Sequence, residues 1–426
     1  MWHRRNALRA LGATLAWPAL TPAYAQFRVE ISGVGGTQIP VAVGRFRGEE
    51  GFPQALSTIV RADLERCGLF RIVDAPVPAD ETGSPDYGAL RTASTDAVVA
   101  GSAARLADGR IDVRYRLWDV VKGSDLGGMS YPVVAGDLRL AAHRVADQIY
   151  EKLTGEKGIF STRVAFVTKA GTTYTLYATD ADGENKQKVL ISREPIISPA
   201  WSPDGKELAY VSFTERKAVV YSQNLAASSQ HVIANYRGSN SAPAFSPDGG
   251  TLAATLSKDG GSQLYLMNRD GTNVRRFTQS AAIDTEAKFS PDGKTLYFVS
   301  DRGGGPQVYR KAIIGGDAER VTFQGSYNIS PALSPDGKLL AYITRQGGSV
   351  FKVMVMDLAT GNVRSITDTS DDESPSFAPN SRFIVYSTRT EGRDVLMMSS
   401  NDGRGKAVLG ESGTQYREPT WGPFGR

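Results

Sequence analysis

The stretch Ser202-Pro203-Asp204-Gly205-Lys206 decides the fold, because it returns at a fixed interval along the chain. Proline favours the first corner of a tight turn, aspartate bonds its own backbone, and glycine accepts the positive φ that follows. A fixed period of this size is typical of repeat architectures, in which each unit buries its faces against copies of itself. The related turns recur every 44 residues, at Pro203, Pro247, Pro291, Pro335, Pro379 and Pro423.

Each repeat carries four short runs that are typical of β-strands. A Pro-Ala-aromatic run such as 199–201 precedes the turn, and an apolar run such as 208–211 follows it. A third run, for example 263–267, ends at a glycine turn, and a fourth run such as 275–278 is more polar. Four strands in ~40–50 residues, with a polar outermost strand, indicate one blade of a β-propeller.

The phase of the repeat predicts how the ring closes. One period before Leu208 lies Val164, where 164–168 matches 208–212 in register although no turn of the same kind precedes it. The last copy, 420–425, stops before its second strand would begin. We therefore expect six blades closed by strand exchange, in which the C-terminal strand completes the blade that starts at Val164. Such a closure leaves no free sheet edge at the seam.

The first 25 residues predict an export signal that is cleaved. Arg4, Arg5 and Arg9 precede an apolar segment, and Ala23-Tyr24-Ala25 supplies the small-x-small cleavage pattern. The segment is too short to remain as a membrane anchor. Both the Sec and the twin-arginine export routes stay open. Removing the three arginines lowers the formal net charge from +4 to +1, so we do not expect nucleic-acid binding.

The remaining 401 residues of the 426 divide into an N-terminal α/β domain over 26–157 and the propeller over 158–426. In the N-terminal domain, strand-like runs alternate with a helix predicted over 53–67 and a second helix that Asp137 caps and Gly155 ends. This order predicts an α+β domain with a mixed sheet and its two helices on one face. The apolar stripe of the second helix consists of Leu140, Val145, Ile149 and Leu153.

With these elements in place, the chain resembles the TolB family, periplasmic proteins of the Tol-Pal envelope system. The resemblance rests on Asp96-Ala97-Val98-Val99, on the six repeats, and above all on the junction Glu151-Lys152-Leu153-Thr154-Gly155, with Lys157-Gly158 and Thr162-Arg163 after it. It implies a non-catalytic, monomeric periplasmic adaptor that supports outer-membrane integrity and constriction during division. The implied partners are the lipoprotein Pal and the inner-membrane protein TolA, with other outer-membrane lipoproteins as further candidates.

Residues that could carry chemistry are few. Only His143, His231 and Cys67 remain as histidine or cysteine after cleavage, so a site with His and Cys ligands lacks donors. We expect His143 on the polar side of a short helix, in a structural or surface role, and Cys67 as a buried structural thiol. The Asp of each repeated turn is expected to be a local cap. We therefore predict no catalytic residue, no metal and no cofactor.

The residues at the start of each innermost strand should rim one mouth of the central channel. Unlike the turns they differ between repeats, as a recognition surface can, although passive loops remain an alternative. In the resembled family this rim binds Pal, and Asn240 and Thr285-Glu286 match family contacts, whereas Ser239 stands where the family has histidine. The candidate residues are Ile197, Ser198, Asn240, Ser241, Ala242, Thr285, Glu286, Ile329, Ser330, Glu373, Ser374, Arg417 and Glu418.

The first mature strand is a second candidate binding element. A terminal alternating strand beside a glycine-rich break can detach and add to the edge of a partner's sheet, although it can also be an ordinary edge strand. In the resembled family this segment binds TolA, and Pal binding favours the state in which it is tucked between the domains. The segment consists of Phe27, Arg28, Val29, Glu30, Ile31 and Ser32.

Two other classes of function stay open. A propeller enzyme would place acidic and histidine side chains or a metal in the channel. A protein that binds small ligands or glycans would need aromatic side chains at the rim, where the sequence offers only Tyr327 and Tyr416.

Overall fold

The computed structural model describes residues 29–30, 38–410 and 414–425. It contains an N-terminal domain and a propeller of six blades, as predicted. The first strand, β1 (Val29–Glu30), lies apart from the N-terminal domain and is taken up with the site below. The predicted export signal and its cleavage site lie outside the described residues.

The N-terminal domain is built on a five-stranded mixed sheet with the order β3-β2-β4-β5-β6. Strand β2 runs parallel to its neighbours β3 and β4, whereas β5 is antiparallel to its neighbours β4 and β6. The mixed sheet therefore matches the prediction. The strands are β2 (Ile39–Val43), β3 (Phe70–Ile72), β4 (Ala97–Arg105), β5 (Ile111–Asp119) and β6 (Ser124–Val133).

Three helices cover this sheet. The two predicted helices are α1 (Leu56–Arg66) and the longer α3 (Leu138–Thr154), and both belong to the core on one face. A third, short helix, α2 (Tyr87–Thr92), packs Leu90 against Trp118 on the opposite face. The sequence analysis did not predict α2, because six residues in a proline-rich segment carry little helical periodicity.

The start of α3 corrects one prediction. Asp137 stands at the cap position, but its side chain accepts no hydrogen bond from the helix. Its backbone angles, φ −102° and ψ 11°, are not the extended ones that side-chain capping requires, because a 3-10 turn (Ala135–Asp137) leads directly into the helix. The end is as predicted, since Gly155 adopts the left-handed conformation with φ 77°.

Each blade of the propeller is a four-stranded antiparallel sheet, numbered here in chain order. Blade 1 holds β7 (Arg163–Ala170), β8 (Thr173–Asp180) and β9 (Gln187–Ser192), and blade 2 holds β10 (Ile196–Trp201), β11 (Glu207–Ser212), β12 (Val219–Asn224) and β13 (Gln230–Ala234). Blade 3 holds β14 (Asn240–Phe245), β15 (Thr251–Leu256), β16 (Gln263–Asn268) and β17 (Arg275–Arg276). Blade 4 holds β18 (Asp284–Phe289), β19 (Thr295–Ser300), β20 (Gln307–Ala312) and β21 (Glu319–Arg320).

Blades 5 and 6 repeat the pattern, and the chain then returns to blade 1. Blade 5 holds β22 (Asn328–Leu333), β23 (Leu339–Arg345), β24 (Phe351–Asp357) and β25 (Val363–Ser365). Blade 6 holds β26 (Glu373–Phe377), β27 (Phe383–Thr390), β28 (Arg393–Ser400) and β29 (Lys406–Leu409). The last strand, β30 (Gln415–Trp421), pairs with β7 as the innermost strand of blade 1, which confirms closure by strand exchange.

The repeated turns nest head to tail around one face of the ring, called the turn face below. Asp204 accepts hydrogen bonds from the Ser202 hydroxyl at 2.6 Å and the Lys206 amide at 3.1 Å, so the predicted local cap is confirmed. A Cβ on Gly205 would lie 3.4 Å from Pro423 of the neighbouring turn, and Gly249 stands in the same relation to Pro203. The repetition of these turns in sequence therefore has a structural cause.

The N-terminal domain docks on the turn face at blades 1 and 6. Helices α1 and α3 share one apolar core with these blades, and Trp421 of β30 donates its indole N–H to the Thr162 hydroxyl at 2.9 Å. In the linker, Asp147 of α3 accepts the Phe160 amide at 2.6 Å and the Ser161 amide at 3.1 Å. The opposite face of the ring, where the innermost strands begin, is called the rim and is left open to partners.

Candidate functional site

The rim has a regular backbone feature that the sequence analysis missed. Every innermost strand contains one residue in the left-handed region, with φ between 48° and 56°. At each of these positions the pairing with the second strand of the blade slips, which marks a β-bulge. The six residues are spaced by the repeat period and are Ser198, Ala242, Glu286, Ser330, Ser374 and Glu418.

The left-handed positions are unusual because none of them is glycine. A non-glycine residue there costs roughly 1–2 kcal/mol. Strained backbone of this kind clusters at functional sites, and bulges redirect side chains. Five of the six residues precede proline, and Glu286 precedes Ala287. A residue directly before proline, at the repeat period in five of the six repeats, was the available signal in the sequence, but it does not by itself reveal a positive φ.

Two glutamates at left-handed positions reach across blade boundaries. Glu286 of blade 4 accepts the Ser330 amide of blade 5 at 2.7 Å, and Glu418 of blade 1 is bonded by the Ser198 amide of blade 2. The two residues lie on blades at opposite sides of the ring. Burial raises the pKa of both carboxyl groups, and for Glu418 the nearby carboxylate of Glu373 raises it further. Burial lowers the pKa of the Lys288 ammonium, although the carboxylates of Glu286 and Glu418 both act to raise it.

Four consecutive blades each place one buried polar side chain at the loop that leads into the rim. Asn240 is fully buried, accepts the Tyr236 amide at 2.8 Å and donates to the Ala218 carbonyl at 3.0 Å. Asp284, Asn328 and Asp372 occupy equivalent positions in the next three blades and are buried too. In this structure the side chain of Asn240 therefore positions a loop, and it is not turned outward toward a partner.

The other predicted rim residues do gather around the mouth. Glu373 and Arg417 are exposed, and the remaining ones are half-buried. The predicted rim aromatics behave differently from one another. Tyr416 is buried, with its ring centre 5.2 Å from that of Phe166, so its expected place at the rim was wrong. Tyr327 is half-buried against Phe351.

The N-terminal segment contacts the propeller. Strand β1 adds to the outer edge of blade 6, where Val29 pairs with Ala407 and Glu30 with Lys406 in antiparallel register. Blade 6 thereby becomes a five-stranded sheet. The other residues of the predicted TolA-binding segment, Phe27, Arg28, Ile31 and Ser32, lie outside the described residues.

A buried charge cluster joins the two domains. It gives His143 a structural role, which was one of the two expected, and it corrects the expected position on the polar side of a short helix. The residue is fully buried in a helix of 17 residues, since the propeller covers the side that looks polar in the sequence of the isolated domain. Its Nδ1 lies 2.6 Å from Asp63, and its Nε2 lies 3.7 Å from Asp180 and 3.9 Å from Asp182. Burial alone would lower the pKa of His143, but these carboxylates raise it to about 10.

The same cluster could be read as a metal site, because Asp63, His143 and Asp182 bring three ligand atoms together. Arg139 already pairs with Asp182 and, at 3.2 Å, with Asp180. Arg66 pairs with Asp63 at 2.8 Å. Three carboxylates thus face two guanidinium groups and a protonated imidazole, so we interpret the cluster as a charge-balanced ion-pair network.

Cys67 is buried, as predicted, and its Sγ lies 3.0 Å from the Leu64 carbonyl. Burial raises the pKa of the thiol to about 12, so the reactive thiolate form is disfavoured.

Comparison with known proteins decides the family. The family profile described as "TolB beta propeller domain" matches residues 150–425, and the one described as "TolB amino-terminal domain" matches residues 27–126. This chain belongs to the TolB family.

Relatives within the TolB family agree with this assignment. A "Tol-Pal system protein TolB" of Polaromonas naphthalenivorans is 60% identical over 242 residues, which are 57% of this chain and 56% of that protein. A protein of the same name from Aromatoleum aromaticum is 52% identical over 239 residues, or 56% of this chain and 55% of that protein. The matches thus span about half the length of these relatives. The crystal structure of TolB from Acinetobacter baumannii superposes with a TM-score of 0.85 at 40% identity, covering 94% of this chain and all of that one.

The relatives that match are named as proteins of the Tol-Pal system. Among the described residues, none of the helices has the length and hydropathy that crossing a bilayer requires.

Proposed function

We propose that this chain is a non-catalytic periplasmic adaptor of the Tol-Pal system. Its propeller rim binds the lipoprotein Pal, its N-terminal strand binds TolA, and the link supports outer-membrane integrity and constriction during division. The observation that carries this proposal is the ring of six left-handed residues at the rim, which presents different side chains on one repeated backbone.

The rim suits protein recognition because its backbone is fixed while its side chains vary. Buried side chains such as Asn240 and Asp372 hold the entering loops, so the rim is preorganised before a partner arrives. Ser241, Thr285, Ile329 and the other half-buried rim residues combine polar and apolar groups, as protein interfaces do.

The N-terminal strand suits a reversible contact. In the described part of the segment, Val29 and Glu30 pair with the outer edge of blade 6, and few backbone hydrogen bonds hold these two residues there. A released strand offers its backbone to the sheet edge of another protein, which is the β-augmentation that we propose for TolA. In the paired state the same backbone is occupied. We infer that Pal bound at the rim favours the paired state of the segment, and that loss of Pal favours its release to TolA.

The convergence of Glu286, Glu418 and Lys288 at the channel is the feature that would favour an enzyme, since shifted pKa values mark active sites. Both glutamates, however, bond backbone amides of the next blade. They therefore have a structural task in holding the left-handed positions of adjacent blades. This supports the adaptor over a channel enzyme.

Calorimetric titration of residues 26–426 with the soluble domain of Pal from the same bacterium tests the proposal. We expect Glu286→Lys to weaken binding by at least about tenfold, or ~1.4 kcal/mol, because it reverses a charge at the rim and removes the acceptor of the Ser330 amide. Glu319→Lys is the matched control, since Glu319 lies on the outermost strand of the same blade and is exposed.

Equal weakening by both variants, or no binding by the unmutated protein, would contradict Pal binding at the rim.

A further inference from the structure

The rim is not uniform, and one part of it carries an excess of negative charge. This part, called the seam sector, lies where blade 6 meets blade 1. It consists of Asp371, Glu373, Ser387 and Asp394 of blade 6 with Arg417 of blade 1.

The strand register places three of these side chains on one face of blade 6. Glu373 of β26 stands directly opposite Ser387 of β27, and Ser387 stands opposite Leu396 of β28. Directly opposed residues project from the same face of a sheet, and so does Asp394, two positions from Leu396. Leu396 belongs to the core shared with Phe166 of blade 1, so this face is turned toward blade 1.

The carboxylates of the seam sector have too few partners. Within the described part of the chain, the Glu373 carboxylate accepts no hydrogen bond and lies within 4.0 Å of no cation. Asp394 has one ion pair, at 3.7 Å from Arg389, whose side chain is half exposed. Burial raises the pKa of Glu373; Arg417 opposes that shift, while Asp371 and Asp394 add to it. Glu418 contributes a fourth carboxylate to the same field.

A second observation points to a ligand at the same place. The Ser387 hydroxyl is buried, with 3% of the residue exposed, and its oxygen has no hydrogen-bond partner among the described residues. An unsatisfied buried hydroxyl costs free energy unless a partner reaches it. Here it stands opposite the unpaired Glu373.

We propose that the seam sector receives a basic side chain of the protein that docks on the rim, an inference that rests on the proposed function. A lysine ammonium or an arginine guanidinium supplies a positive charge to the carboxylates. It also supplies a hydrogen-bond donor to the Ser387 hydroxyl. Arg417 is on the blade 1 side of the sector, so we expect the partner's cation on the blade 6 side, beside Glu373 and Asp394. Because the backbone of the rim repeats six times but the seam sector occurs at one place, this contact would fix the orientation of the partner on the ring.

The test titrates the soluble domain of Pal into four forms of the protein at about 50 mM and about 200 mM salt, which differ in Debye length. The double variant Glu373→Gln with Asp394→Asn keeps the shape of both side chains and removes their charges. We expect its affinity to fall at least about tenfold at the lower salt concentration and to depend less on salt. Glu391→Gln is the matched control, because Glu391 is an exposed acid on the β27–β28 turn of the same blade, and it should change the affinity by less than about twofold.

Ser387→Ala separates binding from folding. Because the hydroxyl bonds nothing among the described residues, its removal should leave the melting temperature unchanged or raise it, yet weaken Pal binding about three- to tenfold. Unchanged or tighter binding by the double variant would overturn the inference while leaving the proposed function intact. Failure of the unmutated protein to bind Pal would contradict the proposed function, and the inference would fall with it.

Discussion

The two faces of the propeller follow the repeat in different ways. On the turn face both the sequence and the backbone repeat, and Gly205 and Gly249 pack on the prolines of neighbouring turns. On the rim only the backbone repeats, because six left-handed positions carry serine, alanine or glutamate. Repetition of sequence therefore marks contacts between blades, whereas repetition of backbone alone marks a surface whose side chains are free to specialise.

The N-terminal domain fits this contrast. It docks on the turn face, where Arg382 pairs with Glu156 and Asn380 donates to the Lys157 carbonyl at 3.1 Å. The rim stays open on the other side of the ring. Changes on the turn face should therefore affect stability first, and changes on the rim should affect partner binding first.

The largest expected effect comes from the charge cluster between the domains. Asp63→Ala removes the carboxylate that lies 2.6 Å from His143 and 2.8 Å from Arg66, and removing one partner of a buried ion pair typically costs about 3–5 kcal/mol. Urea unfolding followed by circular dichroism measures this loss. Asp86→Ala is the control, since Asp86 only caps the exposed helix α2 and should cost about 1 kcal/mol. Similar losses in both variants would mean that the cluster does not hold the domains together.

A glycine on the turn face gives the next largest effect. Gly271 has φ 84°, and a Cβ there would lie 2.3 Å from the Ile233 carbonyl of blade 2. We expect Gly271→Ala to cost more than about 2 kcal/mol, from left-handed strain plus this clash. Gly361 turns in the same way in blade 5 with open space around it, so Gly361→Ala should cost only the strain, about 1–2 kcal/mol. The difference in unfolding free energy between the two variants, measured by urea unfolding, gives the contribution of the contact between blades. Equal losses in both variants would contradict a contribution from that contact.

The stability of the protein should fall as the pH rises from 6.5 toward 10. The pKa of His143 is raised from its ordinary value of 6.5 to about 10, so in this interval only the folded state keeps the proton. The contribution of the protonated imidazole is complete below pH 6.5 and is lost as the pH passes about 10. Chemical unfolding at several pH values should show this slope in the unmutated protein and a smaller one in His143→Gln. An equal slope in both would exclude His143 as its source.

The smallest expected change in stability comes from the rim backbone, and here the prediction concerns its sign. Ala242 has φ 48°, so Ala242→Gly removes left-handed strain and should stabilise the protein by up to about 1 kcal/mol. Ala244, two residues further along β14, is buried, and Ala244→Gly should destabilise by about 0.5–1 kcal/mol. Differential scanning calorimetry distinguishes the two signs. Destabilisation by Ala242→Gly would contradict strain at the rim.

Much of the fold could be predicted from the sequence, because turn chemistry is local and the period is fixed. The position of Pro203 and its five equivalents was enough to predict six blades and their closure at Val164. The mixed sheet of the N-terminal domain followed from the alternation of its runs. Helix α2 was not predicted, since its six residues are stabilised by packing of Leu90 under the sheet.

The site was less predictable, because its properties depend on contacts between distant segments. The burial of Asn240 and Tyr416 results from neighbouring blades, and the buried position of His143 results from docking of the propeller on α3. No local pattern distinguishes a left-handed Ser330 from an extended one before proline. In the seam sector, Arg417 lies beside blade 6 only because β30 returns to blade 1.

The most direct test of the contrast between the faces is hydrogen exchange of residues 26–426, measured by mass spectrometry with and without the soluble domain of Pal. We predict slower exchange on binding at the rim segments 241–244, 285–288, 329–332, 373–376 and 417–420, and unchanged exchange at the turns around Pro203, Pro247 and Pro291. Slowing confined to those turns, or no slowing at the rim segments, would contradict the assignment of the rim as the binding face.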